Sequence, residues 1–270
     1  MAALPRQADA RFRPWMQAHQ EYLREAARSH QQALERVLRF LRKQPVFVQI
    51  SHRITTSIGR RADVVICIGG DGTFLEAARH LRVQPMVGVN SDPRRSVGSF
   101  CSVNANRFES FFDQMMRGKR PVVFYQRLRL ELNGKRVGIP VLNEALITHE
   151  RPAAMSRYGL QIGRVLEHQR SSGLWISTAA GSTGAIHSAG GQILPRVSKK
   201  IQYRPRELYQ GRGTKFRLPG GVLPATAAVR VVSLMRAGLV CLDGEHATLP
   251  FRYGDCLKIS GGHDPLQVIV

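Results

Sequence analysis

Apolar positions recur every three, four or seven residues between 18 and 43, at Tyr22, Ala26, Ala33, Val37 and Phe40. That spacing predicts an amphipathic helix, and Pro45 follows it. Short apolar runs rich in β-branched residues come next, at 45–50, 63–68 and 85–89, and read as buried strands. The second run stops at Gly69-Gly70-Asp71-Gly72, where a helix opens near Thr73 with Leu75, Ala78 and Leu81 facing inward. Phe108, Phe111, Phe112 and Met115 mark one face of a further helix that ends near Gly118. Strands alternating with helices at this spacing predict βαβ units and a parallel sheet up to about residue 120.

After Pro121 the period changes to two. Leu128, Leu130 and Leu132 alternate with Arg129 and Glu131 and run into Asn133-Gly134, a strong hairpin turn signal. Runs at 137–142, 158–162, 174–177, 229–235, 239–242 and 257–259 also read as strands, several of them separated by glycine-rich turns. In this half only 182–193 reads as a helix, and 202–224, with its prolines, glycines and charges, reads as a long loop. The chain therefore divides into an α/β N-terminal domain with a parallel sheet, residues 1–120, and a mainly antiparallel, β-sandwich-like C-terminal domain, residues 121–270. The first ~15 residues read as a loose tail.

At 270 residues with 43% hydrophobic and 22% charged side chains, the chain is long and apolar enough for ordinary globular cores. No apolar run approaches the ~18–20 residues of a membrane helix. The four cysteines lack any C-x-x-C pair, which points away from a disulfide scaffold and a structural zinc and toward a reducing compartment. That compartment is expected to be the bacterial cytosol, with the mitochondrial matrix as the alternative. Forty Lys and Arg against 19 Asp and Glu give a formal charge of +21, which attracts anions. The basic residues are dispersed, without zinc-finger or RNP-like spacing, so a nucleotide fits better than a nucleic acid as the anionic partner.

Gly69-Gly70-Asp71-Gly72-Thr73 is the sharpest local feature. Glycines let backbone N–H groups approach a phosphate, and a helix N-terminus adds partial positive charge. An aspartate inside such a loop would repel a phosphate. It makes sense as a base for a hydroxyl proton, as a Mg²⁺ contact, or as the N-cap of a tight turn. Neither a G-x-x-x-x-G-K-[ST] loop nor G-x-G-x-x-G is present here. Asn143-Glu144 and Gly181-Ser182-Thr183-Gly184 each follow a strand in the pattern, so three polar tips are expected to converge on one cleft. His149, His168, His187 and His246 have no partner at ligand spacing and read as solvated or core histidines.

In this order the three motifs resemble the NAD kinase family, part of a wider group of kinases with the G-G-D-G loop. The resemblance runs from about Arg61 to Gly244. It includes Gly88-Val89-Asn90, the glycine-rich stretch from Thr178 to Gly191, and Asp243-Gly244. Ser91 to Gly98 and Ser171 to Leu174 are most similar to mitochondrial-type members and their bacterial relatives. The resemblance implies a kinase that moves the γ-phosphate of MgATP to the adenosine ribose 2′-hydroxyl of NAD. Asp71 would accept the hydroxyl proton, and Gly70, Gly72, Thr73, Phe74 and Asn90 would serve the phosphates or ATP. Asn143, Glu144, Thr183 and Ser188 would bind NAD. Mg²⁺ would ride on the nucleotide phosphates with no protein metal site, and a homodimer is implied. Gly184-Ala185 stands where the family usually has Ala-Tyr, Ser172 where many bacterial members have Asp, and Ala179-Ala180 where Pro-Thr is common. Lipid kinases sharing the loop, and a non-catalytic nucleotide- or RNA-binding protein, are the alternatives.

Overall fold

The computed structural model describes residues 10–211, 213, 215–244, 247–262 and 264–270. Helix α1 (Arg13–Leu41) has a proline in its first turn, where a missing N–H costs nothing. It thus starts within the stretch expected as a tail, the remainder of which, 1–9, lies outside the described residues. Its inner half is anchored through buried Ala33, Val37 and Leu41, and its outer half through Glu25 and Tyr22 against Arg95. Phe47 is 95% exposed and 45–50 forms no strand, because no neighbouring strand offers it a ladder. Val46 and Val48 simply pack beside the helix.

After α2 (Thr56–Arg61) come β1 (Val65–Gly69), α3 (Asp71–Ala78), β2 (Met86–Asn90), β3 (Val103–Asn104) and α4 (Phe108–Met116). Strands β1, β2 and β3 pair in parallel, as the βαβ pattern requires. Phe40 of α1 meets Phe108 and Phe112 of α4 edge-on, at 6.0 and 5.5 Å between ring centroids. The chain continues through β4 (Val122–Tyr125), β5 (Leu128–Leu132) and β6 (Lys135–Arg136). Asn133 (φ 52°) and Gly134 (φ 77°) make the expected two-residue hairpin between the last two.

Residues 137–142 run beside β5 with a single bridge, Leu128 to Val141, since Pro140 cannot donate to a ladder. Then follow β7 (Glu144–His149), β8 (Ser156–Ile162), β9 (Val165–Ser171), β10 (Gly173–Thr178) and the single helical turn α5 (Ala185–Ser188). The helix expected over 182–193 is only a 3-10 turn at Ala180–Thr183 plus that α-turn. Gly190 (φ 85°) and Gly191 end it. The expected loop at 202–224 contains two strands, β11 (Lys200–Arg206) and β12 (Gly221–Pro224). Pro205 is tolerated because β12 covers β11 only as far as Tyr203, leaving the proline on a free edge. The chain closes with β13 (Val229–Ser233), β14 (Gly238–Leu242), β15 (Ala247–Phe251), β16 (Cys256–Gly261) and β17 (Leu266–Ile269).

Two antiparallel six-stranded sheets form the second half, in the orders β12-β11-β10-β7-β14-β15 and β6-β5-β16-β13-β8-β9. Their inner faces share one core, with Ile147, Leu174 and Val240 from the first sheet and Leu130, Tyr158 and Val231 from the second. The sheets do not follow the division at residue 120. β4 and β17 join the first sheet, in the order β1-β2-β17-β4, so the last strand of the chain lies beside β2. The polypeptide therefore crosses between the halves twice, after β4 and before β17. Among the described residues no helix is long and apolar enough to cross a membrane.

Arg127 stands at the first crossing, 2% exposed. Its guanidinium donates to the carbonyls of Ala78 at 2.9 Å and Leu81 at 3.0 Å, just where α3 ends. Arg127→Met is expected to cost about 1–3 kcal/mol of stability by leaving those carbonyls buried without donors. Urea unfolding checks this against Arg24→Ala, whose exposed pair with Glu21 should contribute under about 1 kcal/mol. Equal midpoints for the two variants would remove Arg127 from the account of how the halves are joined.

Candidate active site

The first tip is the β1–α3 junction. Gly70, in extended conformation, is the N-cap of α3 and makes no side-chain cap, so Asp71 is the first helical residue and not the cap. Its carboxylate turns toward the loop after β2. Oδ2 accepts the Ser99 N–H at 2.9 Å and Oδ1 the Phe100 N–H at 2.7 Å. Asp71 is thus oriented by two backbone amides and stays half-buried at the surface end of the helix. Gly72 and Thr73 are exposed, and a Cβ on Gly72 would meet nothing within 4 Å, so the space beside the helix N-terminus is open.

Phe74 and Asn90 are both held inside the fold. Phe74 is fully buried and stacks on Phe100 at 5.3 Å, because the helix periodicity points it into the core. Asn90 is buried too, with both ends of its amide used. Nδ2 donates to the Ser96 carbonyl at 3.1 Å, and Oδ1 accepts the Asp92 N–H at 3.0 Å. Gly98 (φ 58°) lies against that amide, and a side chain there would collide with it. Both residues therefore shape the 91–100 loop, whose amides hold Asp71.

Asn143 and Glu144 open strand β7 and do not follow one. The antiparallel pairing Ser177 to Glu144 nevertheless brings them to the end of β10, where the glycine-rich segment begins. Two side chains fix this junction. Thr178 Oγ1 donates to the Leu142 carbonyl at 2.6 Å and accepts the Gly181 N–H at 3.0 Å. Asp243, at the end of β14 with φ 49°, accepts the N–H groups of Leu142, Asn143 and Glu144 at 3.0, 2.7 and 3.2 Å. Gly181 presses its backbone onto Asn143 so closely that no Cβ fits, and a Cβ on Gly184 would come within 3.2 Å of Glu144 Oε2. Thr183 and Ser188 are exposed on the turns beyond.

The tips converge. Phe74 and Leu75 beside the first, Leu142 beside the second and Ala180 beside the third belong to one buried apolar cluster. Asp71 and Arg196, the latter from the segment after α5, both act electrostatically on the Cys101 thiol. Burial pushes that thiol up to about 12, so Cys101 is no nucleophile there.

Glu144 is the most unusual group. It is 5% exposed, and its Oε2 is buried without a hydrogen-bond partner. Desolvation, with the nearby Asp243 charge adding to it, raises its carboxyl to about 8. Asp243 is raised as well, by burial, against the opposing pull of its three amide donors. Sequence reasoning did not find the Ser99 and Phe100 amides or Arg196. Backbone amides carry no side-chain signal, and one arginine among 33 is invisible. Among the histidines, His149 Nδ1 accepts the Arg151 N–H at 3.0 Å, His187 bonds the Gly191 carbonyl and His168 is exposed. His246 lies outside the described residues.

Four similarities bear on this arrangement. Residues 9–109 match the model of the ATP-NAD kinase N-terminal domain. The chain is 32% identical over 272 residues to a probable NADH kinase of Oryza sativa subsp. japonica, covering 92% of this chain and 84% of that one. It is 36% identical over 208 residues to an NAD kinase of Methanoregula boonei, covering 72% and 74%. In fold it superposes on an NAD kinase from Archaeoglobus fulgidus, solved in complex with ATP, with a TM-score of 0.75 at 22% identity and 88% and 89% coverage.

The buried, unpaired Glu144 makes stability pH-dependent. Its folded value near 8 lies above its ordinary 4.5, so between those values the native state keeps a proton that the unfolded chain has lost. The resulting stability is present below about pH 4.5 and fades as pH rises toward 8, by at most about 4–5 kcal/mol. The melting temperature of the ligand-free protein is expected to fall between pH 5.5 and 8.5 by several degrees more than that of Glu144→Gln. Parallel melting curves for the two proteins would refute the assignment.

Proposed function

The chain belongs to the NAD kinase family, and from that premise we propose that it transfers the γ-phosphate of ATP to the adenosine ribose 2′-hydroxyl of NAD, giving NADP. One observation carries the reading. A carboxylate fixed by two backbone amides, Asp71, stands at a helix N-terminus beside open space, on the same mouth as an unpaired buried acceptor, Glu144.

The site divides the work by charge. Exposed amides at Gly72 and Thr73, together with the positive end of α3, suit the anionic phosphates. Arg196, which acts on the Cys101 thiol together with Asp71, supplies a cation where charge develops. Asn143 and the Glu144 carboxyl suit ribose hydroxyls, since a hydroxyl can donate to Oε2, the one atom that lacks a donor. Thr183 and Ser188 lie exposed on the turns beyond Gly181 and suit the remainder of the dinucleotide. Asp71 is the base that takes the 2′-hydroxyl proton as that oxygen attacks phosphorus. Phosphoryl transfer needs little more than this positioning and neutralisation.

Among the described residues no three His, Cys, Asp or Glu side chains gather as a metal site. A lone aspartate at the mouth fits Mg²⁺ carried chiefly by the nucleotide phosphates. When bound, the ion offsets phosphate charge. The unpaired cysteines support a cytosolic setting, and the exposed Trp15, Tyr22 and Leu23 on the outer half of α1 support the expected homodimer. NADH stands beside NAD as acceptor, because the Oryza relative is named a probable NADH kinase.

Purified protein with MgATP is expected to form NADP from NAD, and NADPH from NADH. Asp71→Asn should lower kcat about a hundred- to ten-thousand-fold with an unchanged circular dichroism spectrum. Glu144→Gln should instead raise KM for the dinucleotide about tenfold, ~1.4 kcal/mol. Full activity in the Asp71 variant would overturn the reading.

A further inference from the structure

At the opposite end of α3 from Asp71, roughly 12 Å along the helix, lies a second cavity of about 570 Å³. It opens where both crossings between the halves run, between the loop after α3, the 136–140 segment and the approach to β17. Four arginines line it, Arg82, Arg127, Arg129 and Arg136, against one carboxylate, Asp264.

The pairing inside this cavity is incomplete. Arg136 meets Asp264 at 2.8 Å, and Arg129 meets Glu131 at 3.1 Å. Arg82 and Arg127 have carbonyl acceptors only, among the described residues. Arg82 donates to the Gly138 carbonyl at 3.0 Å, and Arg127 to those of Ala78, Leu81 and Asp264. The Nε groups of Arg127 and Arg129 are buried without acceptors. Burial, with Arg82's charge next, brings Arg127 down to about 10, while the Asp243 and Asp264 charges act in the opposite direction. It still leaves the guanidinium charged at neutral pH. Of the four, Arg127 alone is buried; Arg129 is partly exposed, and Arg82 and Arg136 stand at the solvent edge.

We propose that this cavity is a second anion site, separate from the phosphotransfer mouth, that takes a compact multivalent phosphate such as a diphosphate group. Arg82 and Arg136, exposed on two rims, supply direct contacts, while Arg127 and Arg129 supply the field behind them. Donors converging from separate segments suit tetrahedral oxygens better than a planar carboxylate, which a single guanidinium fork already satisfies. Because the rims belong to different halves of the chain, an occupant bridges them. The proposal does not depend on what the mouth at Asp71 catalyses.

Hydrogen exchange measured by mass spectrometry on the full chain tests this with inorganic pyrophosphate as probe. Protection is expected to grow in peptides covering 79–83, 134–140 and 264–267. The Arg82→Ser/Arg136→Ser double variant should raise the half-saturating concentration for those peptides at least tenfold, with exchange at 69–75 unchanged. If the double variant does not fold, Arg82→Ser alone is expected to raise it at least threefold. Protection confined to 69–75 and 178–191, or equal half-saturation in wild type and variant, would overturn the proposal. A parallel titration with ADP identifies the source. Protection of the hinge peptides that the variant weakens assigns a nucleotide's diphosphate as occupant. ADP protection at the mouth alone, beside a hinge response to pyrophosphate, assigns free inorganic diphosphate.

Discussion

A buried aspartate holds the second half of the site together. Asp243 gives up its hydration to accept three consecutive amides, from Leu142, Asn143 and Glu144. Those amides belong to irregular chain entering β7, where no strand partner exists to satisfy them. Without the carboxylate they would be orphaned donors in a buried place, each costing on the order of 1–3 kcal/mol. Its consequence reaches further than the turn. By fixing the backbone at 143–144 it aims Glu144 inward, and its own charge, second to burial, keeps that neighbour's carboxyl protonated at neutral pH. One buried anion thus creates the conditions for an unpaired acceptor beside it.

The two carboxylates at the mouth are treated in opposite ways. Asp71 is half-buried and given two amide donors, while Glu144 is buried and left with a bare oxygen. Folding alone would favour neither the orphan oxygen nor the crowded pair of acids. Such a conflict is expected where local stability yields to a ligand's needs. The high net charge fits into the same picture at longer range. A mouth that has acidic groups at its reacting centre still lies in a field that draws anionic nucleotides toward it.

How far the sequence disclosed this depends on which physical signal each residue leaves. Periodicity was strong where an element has one solvent face, so α4, β5 and the Asn133-Gly134 hairpin are legible in the sequence. It failed at Phe47, where an apolar run has no sheet to join, and at 202–224, where prolines concealed two strands that use them on a free edge. Asp71 stands out because glycine-rich punctuation isolates it from periodic chain, and Asn143-Glu144 because a polar pair interrupts an apolar run. Phe74 and Asn90 share that punctuation, yet they face the core and the 91–100 loop, a distinction that depends on side-chain direction and not on spacing. The Ser99 and Phe100 amides that orient Asp71 have no sequence signature, since any residue but proline provides an N–H.

Helix α3 ties these observations into one mechanical unit. Its inner face, with Phe74, Leu75 and Ala78, packs against Leu142 and Ala180 from the other half of the chain. Its positive end presents Asp71 and open amides to the mouth, while its negative end is neutralised by Arg127 at the first chain crossing. A helix of eight residues is too short to bend appreciably, so a displacement at one end is transmitted to the other. The Asp71 carboxylate and the Arg127 contacts therefore sit at opposite ends of one short helix, the first fixed by amides of the 91–100 loop and the second by the chain crossing.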